Sequence, residues 1–321
     1  MTKIKLEAVV SESDAKRRLD QVAASLFSEH SRARLQQWIK SGWLTVNGQQ
    51  RRPKDLVYLG DHLVVQADVE EAGEWESEKM LLDIVYEDDS LIVINKAKNL
   101  VVHPAAGHQQ GTLLNGLLHH CPNLRQLPRA GIIHRLDKDT TGLLMVAKTL
   151  VAHTDLVAKL AKREVSREYE AIACGVLTGG GKIDLPLGRH PVNRKKRAVS
   201  ENGQEAITHY KVIKRFRSHT HLLIKLDTGR THQIRAHMSH KSYPLVGDQL
   251  YGTRLSLPAG CEPSLAESLK NFKRQALHAR RLGVSHPETR KVMHWEADLP
   301  VDIKFLLEKL EKDFIMASSD A

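Results

Sequence analysis

The sequence predicts an α+β protein: a large domain with a mixed, mostly antiparallel sheet, preceded by a small α+β domain. Three observations predict it. From about residue 82 onward β-rich runs outnumber helical ones and do not alternate with them as a parallel sheet would require. Residues 68–79, DVEEAGEWESEK, are acidic, lack apolar period and read as a linker. The residues before them carry two helical patterns and short strand patterns of their own. The expected limits are 1–67 for the small domain, 80–315 for the large one and 316–321 for a disordered tail.

In the small domain, Arg18-Leu19-Asp20 opens an apolar pattern that continues through Val22, Ala23, Leu26 and Phe27 at helical spacing. SRARLQQWIKSG follows, with Ser31 as N-cap, Leu35, Trp38 and Ile39 on one face, and Gly42 as the stop. Arg32, Arg34 and Lys40 remain on the other side. WLTVNG and LGDHLVV then read as short strands with Asn47-Gly48 and Gly60-Asp61 turns.

In the large domain, LDIVYEDDSLIVINK reads as two strands around an acidic turn, and GTLLNGLLHHC as a helix. GIIHRLDKDTTGLLMVAKT reads as strand, loop, strand. LVAHTDLVAKLAKREV is helical. SREYEAIACG, THYKVIKRF and HLLIKLDTG are strand-like. PSLAESLKNFKRQ and DIKFLLEKLEKDF are helices, with strand-like HARRLGVSH and VMHWEA between them. Residues 189–206 read as an exposed loop crowded with Arg189, Arg194, Lys195, Lys196 and Arg197.

The totals narrow the function. With 321 residues and 41% apolar content the chain can bury a real core. The balance of 48 Lys+Arg against 38 Asp+Glu leaves a net charge of +10, which favours a polyanionic partner. No apolar run is long enough to span a membrane, and the first residues lack a signal-peptide pattern. Cys121, Cys174 and Cys261 are isolated, which fits a reducing cytoplasm. No CxxC or HExxH pattern supports a metal site, and His232, His237 and His240 lie in a basic stretch.

The chemistry concentrates in HRLDKDTTG, 134–142, where ionisable groups sit at a sheet boundary. Aspartates and threonines there can simply cap a turn. Asp137-x-Asp139-x-Thr141 also resembles the DxDxT signature of haloacid-dehalogenase-type phosphatases, although His134 and Arg135 interrupt the strand that should precede it. The third possibility is a single aspartate acting on a nucleoside.

Resemblance favours the third. RRLDQ at 17–21, SRARLQQWIKSGWLTVNG at 31–48 and GDHLVV at 60–65 resemble the S4 RNA-binding domain. His134-Arg135-Leu136-Asp137, with Thr140, Thr141 and Gly142, resembles the HRLD motif of pseudouridine synthases that act on large-subunit ribosomal RNA. YEDDSLIVINKAKNLVVHP at 86–104, SREYEA at 166–171, LDTGRTHQIRAHM at 226–238, PLVGDQLYG at 244–252 and RQALHA at 274–279 follow in the family's order. Asn95-Lys96-Ala97-Lys98-Asn99 stands where the family commonly has NKPxG, a change that should alter a turn. The set is most similar to the D-type branch, which modifies the stem-loop known as helix 69.

This resemblance implies isomerisation of uridines in 23S ribosomal RNA, in free RNA or in the large subunit; nothing in the sequence speaks to the oligomeric state, and a monomer is assumed. It implies Asp137 as nucleophile, Arg230 as its ion-pair partner and Tyr169 against the uracil ring. No redox change or group donor is needed, so no cofactor is expected. Arg135 is the candidate to fill the gap left by an everted base or to hold a phosphate. Arg18, Arg32, Arg34, Lys40, Arg194, Lys195, Lys196 and Arg197 are candidate phosphate contacts. The alternative is a non-catalytic RNA-binding or ribosome-assembly factor on the same fold.

Overall fold

The computed structural model describes residues 2–27, 30, 32–69, 75–104, 109–252 and 257–319. They divide into two compact units, Met1–Glu74 and Trp75–Ala321.

The first unit contains β1 (Thr2–Val9), β2 (Arg17–Arg18), α1 (Leu19–Leu26), α2 (Arg32–Ser41), β3 (Leu44–Val46), β4 (Leu56–Val57) and β5 (His62–Val69). The three longer strands form a sheet in the order β1-β5-β3. Leu19, Val22, Leu35, Trp38, Ile39 and Leu63 are buried in one core, the face expected from their spacing. Asn47 and Gly48 turn the chain with positive φ of 52° and 76°, as an Asn-Gly hairpin turn requires. The cap expected at Ser31 lies outside the described residues, as do linker residues 70–74.

Two boundaries move. β5 runs through Val69, past the limit expected at 67, because Thr2–Val9 forms a strand that pairs with it from Thr2↔Val69 to Val9↔His62. The C-terminal helix runs through Ser319, past 315, and the Ser318 and Ser319 hydroxyls donate to the carbonyls of Phe314 and Ile315. Of the expected tail, residues 320 and 321 lie outside the described residues.

The second unit begins with β6 (Ile84–Glu87), β7 (Leu91–Lys96), α3 (Leu113–His120), β8 (Thr141–Ala147), α4 (Leu150–Ala161) and β9 (Ser166–Cys174). It continues with β10 (Gly181–Asp184), β11 (Leu187–Arg189), β12 (Arg197–Val199), β13 (Ile207–Arg215), β14 (His219–Leu226) and α5 (Gln233–His240). Last come α6 (Pro263–Asn271), β15 (Leu277–Ser285), β16 (Val292–Glu296) and α7 (Val301–Ser319). The main sheet runs β10-β13-β14-β9-β15-β8-β7-β6, with β16 on β15. Every pairing is antiparallel except β15 with β8. The parallel contact is short, His278↔Thr141 and Ala279↔Gly142. There a Cβ on Gly142 would lie 2.3 Å from the Ala279 carbonyl oxygen, so glycine lets the two strands meet.

Two expected elements differ. Ile132 makes one isolated bridge to Val146 and does not begin a strand. Left-handed Arg129 (φ 53°) and Ala130 (φ 50°) directly after Pro128 turn the chain there. The basic stretch 189–206 is not a plain loop. β11 pairs with β12 from Leu187↔Val199 to Arg189↔Arg197, and the exposed Arg194 and Lys195 sit at the hairpin's tip.

Candidate active site

The loop 134–140 enters the sheet at β8, and its backbone is held from three directions. Asp137's carbonyl accepts from Thr140 N–H at 3.0 Å. Lys138's carbonyl accepts from Lys96 Nζ at 2.9 Å and from Leu100 N–H at 3.2 Å. Asp139's carbonyl accepts from Arg274 Nη1 at 3.1 Å. Arg274 is itself fixed by both oxygens of Asp302 on α7, at 2.9 and 2.7 Å. Gln275 donates to the Thr140 hydroxyl at 2.9 Å.

Lys96 is 1% exposed, and its ammonium also donates to the carbonyls of Ala97 and Leu100. Burial lowers its pKa to about 8, against the opposing fields of Asp139 and Asp137. Asn99, at the position where NKPxG has glycine, takes the left-handed conformation (φ 63°), and Lys96 ties the turn shut. His134, beside the nucleophile candidate, faces inward. Its Nε2 accepts from Met145 N–H at 3.0 Å, and burial with the nearby Arg167 charge pushes its pKa down to about 3. It is a neutral packing group under the loop.

Asp137 projects into a cavity of about 840 Å³, within the usual size range for ligand sites. Its carboxylate is not paired with Arg230. The partner is Arg235, whose Nη1 donates to Asp137 Oδ2 at 2.8 Å. Arg230 lies in the loop before α5 and is exposed. Its N–H donates to Gln233 Oε1 at 2.9 Å and its Nε to the Glu205 carbonyl at 3.0 Å. Arg235 instead sits on the inner face of α5, 7% exposed, where Asp248 grips Nε at 2.7 Å and Nη2 at 2.8 Å. Burial opposes its charge, but the hydrogen bonds and fields of Asp248 and Asp137 outweigh that and raise its pKa. Asp248 is likewise held below the usual carboxylate range by Arg235, in spite of its burial.

Sequence reasoning missed Arg235, although LDTGRTHQIRAHM contains both arginines. The available signal was α5 itself: Ile234, Ala236 and Met238 are core positions, so an arginine among them needs a buried partner.

Tyr169 lies on β9 with 6% exposure, and burial, with the nearby Asp137 charge, raises its pKa. It lines the same cavity as Asp137, Arg135, Arg230 and Arg235. Arg135 is exposed at the rim. Tyr251 covers the other side of Arg235, with the guanidinium carbon 5.1 Å from its ring centre. Its hydroxyl accepts from Arg197 N–H at 2.6 Å and meets His232 Nδ1 at 3.1 Å, while Lys196 Nζ lies 5.6 Å from the ring centre. The turn end of the basic hairpin is thus joined to the ion pair.

The remaining basic candidates are on the first unit. Arg18 and Arg32 both bind the buried carboxylate of Asp20, at 3.0 and 2.6 Å, and the Arg32 contact ties α2 to α1. Arg34 lies over Trp38 at 5.5 Å. Lys40 is exposed.

The mixed sheet thus brings an aspartate–arginine pair, a tyrosine and several further arginines to one cavity. Comparison with known families matches residues 90–240 to RNA pseudouridylate synthase and residues 17–63 to the S4 domain. The chain is 58% identical over 296 residues to ribosomal large subunit pseudouridine synthase D of Pseudomonas aeruginosa, covering 92% of each chain. It is 48% identical to the protein of that name from Pasteurella multocida, over 100% of this chain and 99% of the other. Among solved structures, human RNA pseudouridylate synthase domain containing 4 is similar at a TM-score of 0.55 and 25% identity, over 71% of this chain and 92% of that one. The chain belongs to the RNA pseudouridylate synthase family, as a member with an N-terminal S4 domain.

Proposed function

We propose that the protein isomerises uridines of 23S ribosomal RNA to pseudouridine, in the helix 69 stem-loop, with Asp137 as nucleophile. The observation that carries this reading is the Asp137–Arg235 pair, 2.8 Å apart and facing the basic cavity beside Tyr169. The names of the relatives, ribosomal large subunit pseudouridine synthase D, support the RNA class.

The target uridine leaves its stack to enter the cavity, at a cost of a few kcal/mol. Arg135 at the rim takes up the vacated space or a phosphate. Tyr169 lies against the uracil ring. Asp137, oriented by Arg235, acts on the nucleoside while the N1–C1′ bond breaks. The base turns, C5 joins C1′, the C5 proton is lost and N1 gains one, so the product is an isomer. Arg194, Lys195, Lys196 and Arg197 at the turn end of the hairpin, and Arg34 and Lys40 on the S4 unit, supply phosphate contacts. Arg32 contributes through the α1–α2 contact it makes on Asp20, and Arg18 and Arg32 through their solvent-facing edges. The enzyme acts as a monomer in the cytoplasm.

Large-subunit RNA labelled with tritium at uridine C5 tests this. Wild type releases tritium to water, and Asp137→Asn binds the RNA without release. Release by Asp137→Asn would move the chemistry to another carboxylate, Asp139 first. No release by wild type on RNA or on subunits would leave a non-catalytic RNA-binding factor.

A further inference from the structure

Arg167 is a buried cation that the site so far leaves unused. It lies two residues before Tyr169 on β9, on the same face of the strand, and lines the same cavity. It is 7% exposed. Among the described residues no carboxylate lies within ion-pair distance of it. Its only hydrogen bond there runs from Nη2 to the Asp227 carbonyl at 3.2 Å, and its Nε has no partner. Arg235, Arg274 and Arg280, the other mostly buried arginines of this unit, each have one or more carboxylates. Burying a charge without one is costly, so the position calls for a partner that arrives.

The loop that leads into α5 lies against the guanidinium. A Cβ on Gly229 would come within 2.6 Å of Arg167 Nη1, so the glycine leaves the head group room in its present position.

The established chemistry supplies the missing partner. When N1–C1′ breaks, the bonding electron pair stays on the base, and the negative charge spreads onto its carbonyl oxygens. It is withdrawn again when C5 bonds to C1′ and N1 is protonated. Whichever carbon receives the nucleophile, the ring passes through an anionic stage. Resting on the reading of the cavity as the uridine site, we propose that Arg167 hydrogen-bonds a carbonyl oxygen of the everted uracil and holds the negative charge on the ring during the reaction. It is a base-binding catalytic residue, distinct from the Asp137–Arg235 pair, which serves the nucleophile. Preorganised donors aimed at developing charge typically contribute about 10²–10³-fold in rate.

The experiment compares full-length wild type, Arg167→Met, Arg167→Lys, Arg167→Ala and Asp137→Asn in single-turnover tritium release, RNA binding and thermal unfolding. Arg167→Met is expected to lose about 10²–10³-fold in rate with RNA affinity within threefold of wild type. Its Tm is expected to equal or exceed that of wild type, because a costly buried charge has gone. Arg167→Lys should keep more rate than Arg167→Met. Guanidinium ion in the millimolar range should speed Arg167→Ala but not wild type, with urea as the inert control. Full rate in Arg167→Met overturns the proposal. So does a collapse of its Tm, or a loss confined to RNA binding, since either makes Arg167 a strut or a phosphate contact. If wild type itself releases no tritium, it is the function that fails. If wild type is active and Asp137→Asn inactive while Arg167→Met is unimpaired, only this inference fails.

Discussion

Asp248→Asn is the sharpest test of how the active aspartate is aimed. Asp248 does not itself line the cavity, and its side chain is fully buried behind Arg235. Its Oδ1 accepts from Arg235 Nη2 at 2.8 Å, Leu250 N–H at 2.9 Å and Tyr251 N–H at 3.0 Å, while Oδ2 accepts from Arg235 Nε at 2.7 Å. An asparagine keeps its oxygen toward the three donors and turns its NH₂ toward Nε, donor against donor. Arg235 then has one carboxylate, Asp137, where it had two. Breaking a buried pair from one side costs about 3–5 kcal/mol. At roughly 2–4 °C per kcal/mol for a domain of this size, Tm should fall by roughly 6–20 °C. The guanidinium should also swing off the line that brings Nη1 to Asp137, and misplacement of about 1 Å can cost on the order of 10²-fold in rate. Tritium release under saturating RNA should therefore drop about 10²-fold, with KM little changed because no RNA contact is lost. The double variant Asp248→Asn/Arg235→Met should regain much of the Tm, the orphaned charge being gone, and none of the rate. A variant with lowered Tm and a rate within threefold of wild type would refute the brace, leaving Asp248 a matter of folding alone.

Two further outcomes follow from the same geometry. Arg230→Ala should lower RNA affinity by a few fold and leave the single-turnover rate within about threefold, whereas Arg235→Ala should abolish release; equal loss in both would restore Arg230 to the ion pair. The folded protein should also weaken in mild acid. His219 and His278 are each 1% exposed and burial lowers both to about 4, against 6.5 in the unfolded chain. The unfolded chain therefore takes up protons first, so their contribution is complete above pH 6.5 and is lost as the pH falls toward 4. By linkage each forfeits about 1.4 kcal/mol at pH 5.5. Differential scanning calorimetry at pH 7.5 and 5.5 should show Tm lower by roughly 5–10 °C, and equal values would mean these histidines are not held neutral.

What was readable in the sequence was what local period encodes. α1 to α4, α6 and α7 follow from apolar spacing, and the nucleophile candidate from its motif; α5, short and rich in histidine, was not read as a helix. β1 was not readable as an edge strand, because Ile4, Leu6 and Ala8 alternate in a segment too short to announce a partner; β5 supplies it some sixty residues later. The hairpin 187–199 was hidden by its charges. Arg235 was missed for a different reason. Its two carboxylates are thirteen and ninety-eight residues away, and no local pattern chooses between it and Arg230. The choice is made by α5, which turns one arginine into the core and leaves the other on the approach to the helix.

The grip on the active loop falls on main-chain oxygens. Lys96 and Arg274 hold the carbonyls of residues 138 and 139, and every amino acid has a carbonyl. The aim of Asp137 is therefore insulated from the identity of its neighbours. In a saturation library across 134–142 together with 96 and 274, positions 138 and 139 should accept substitutions freely while 96, 137 and 274 do not. Such a loop can drift in charge and shape to suit a different RNA surface while the catalytic geometry is inherited unchanged.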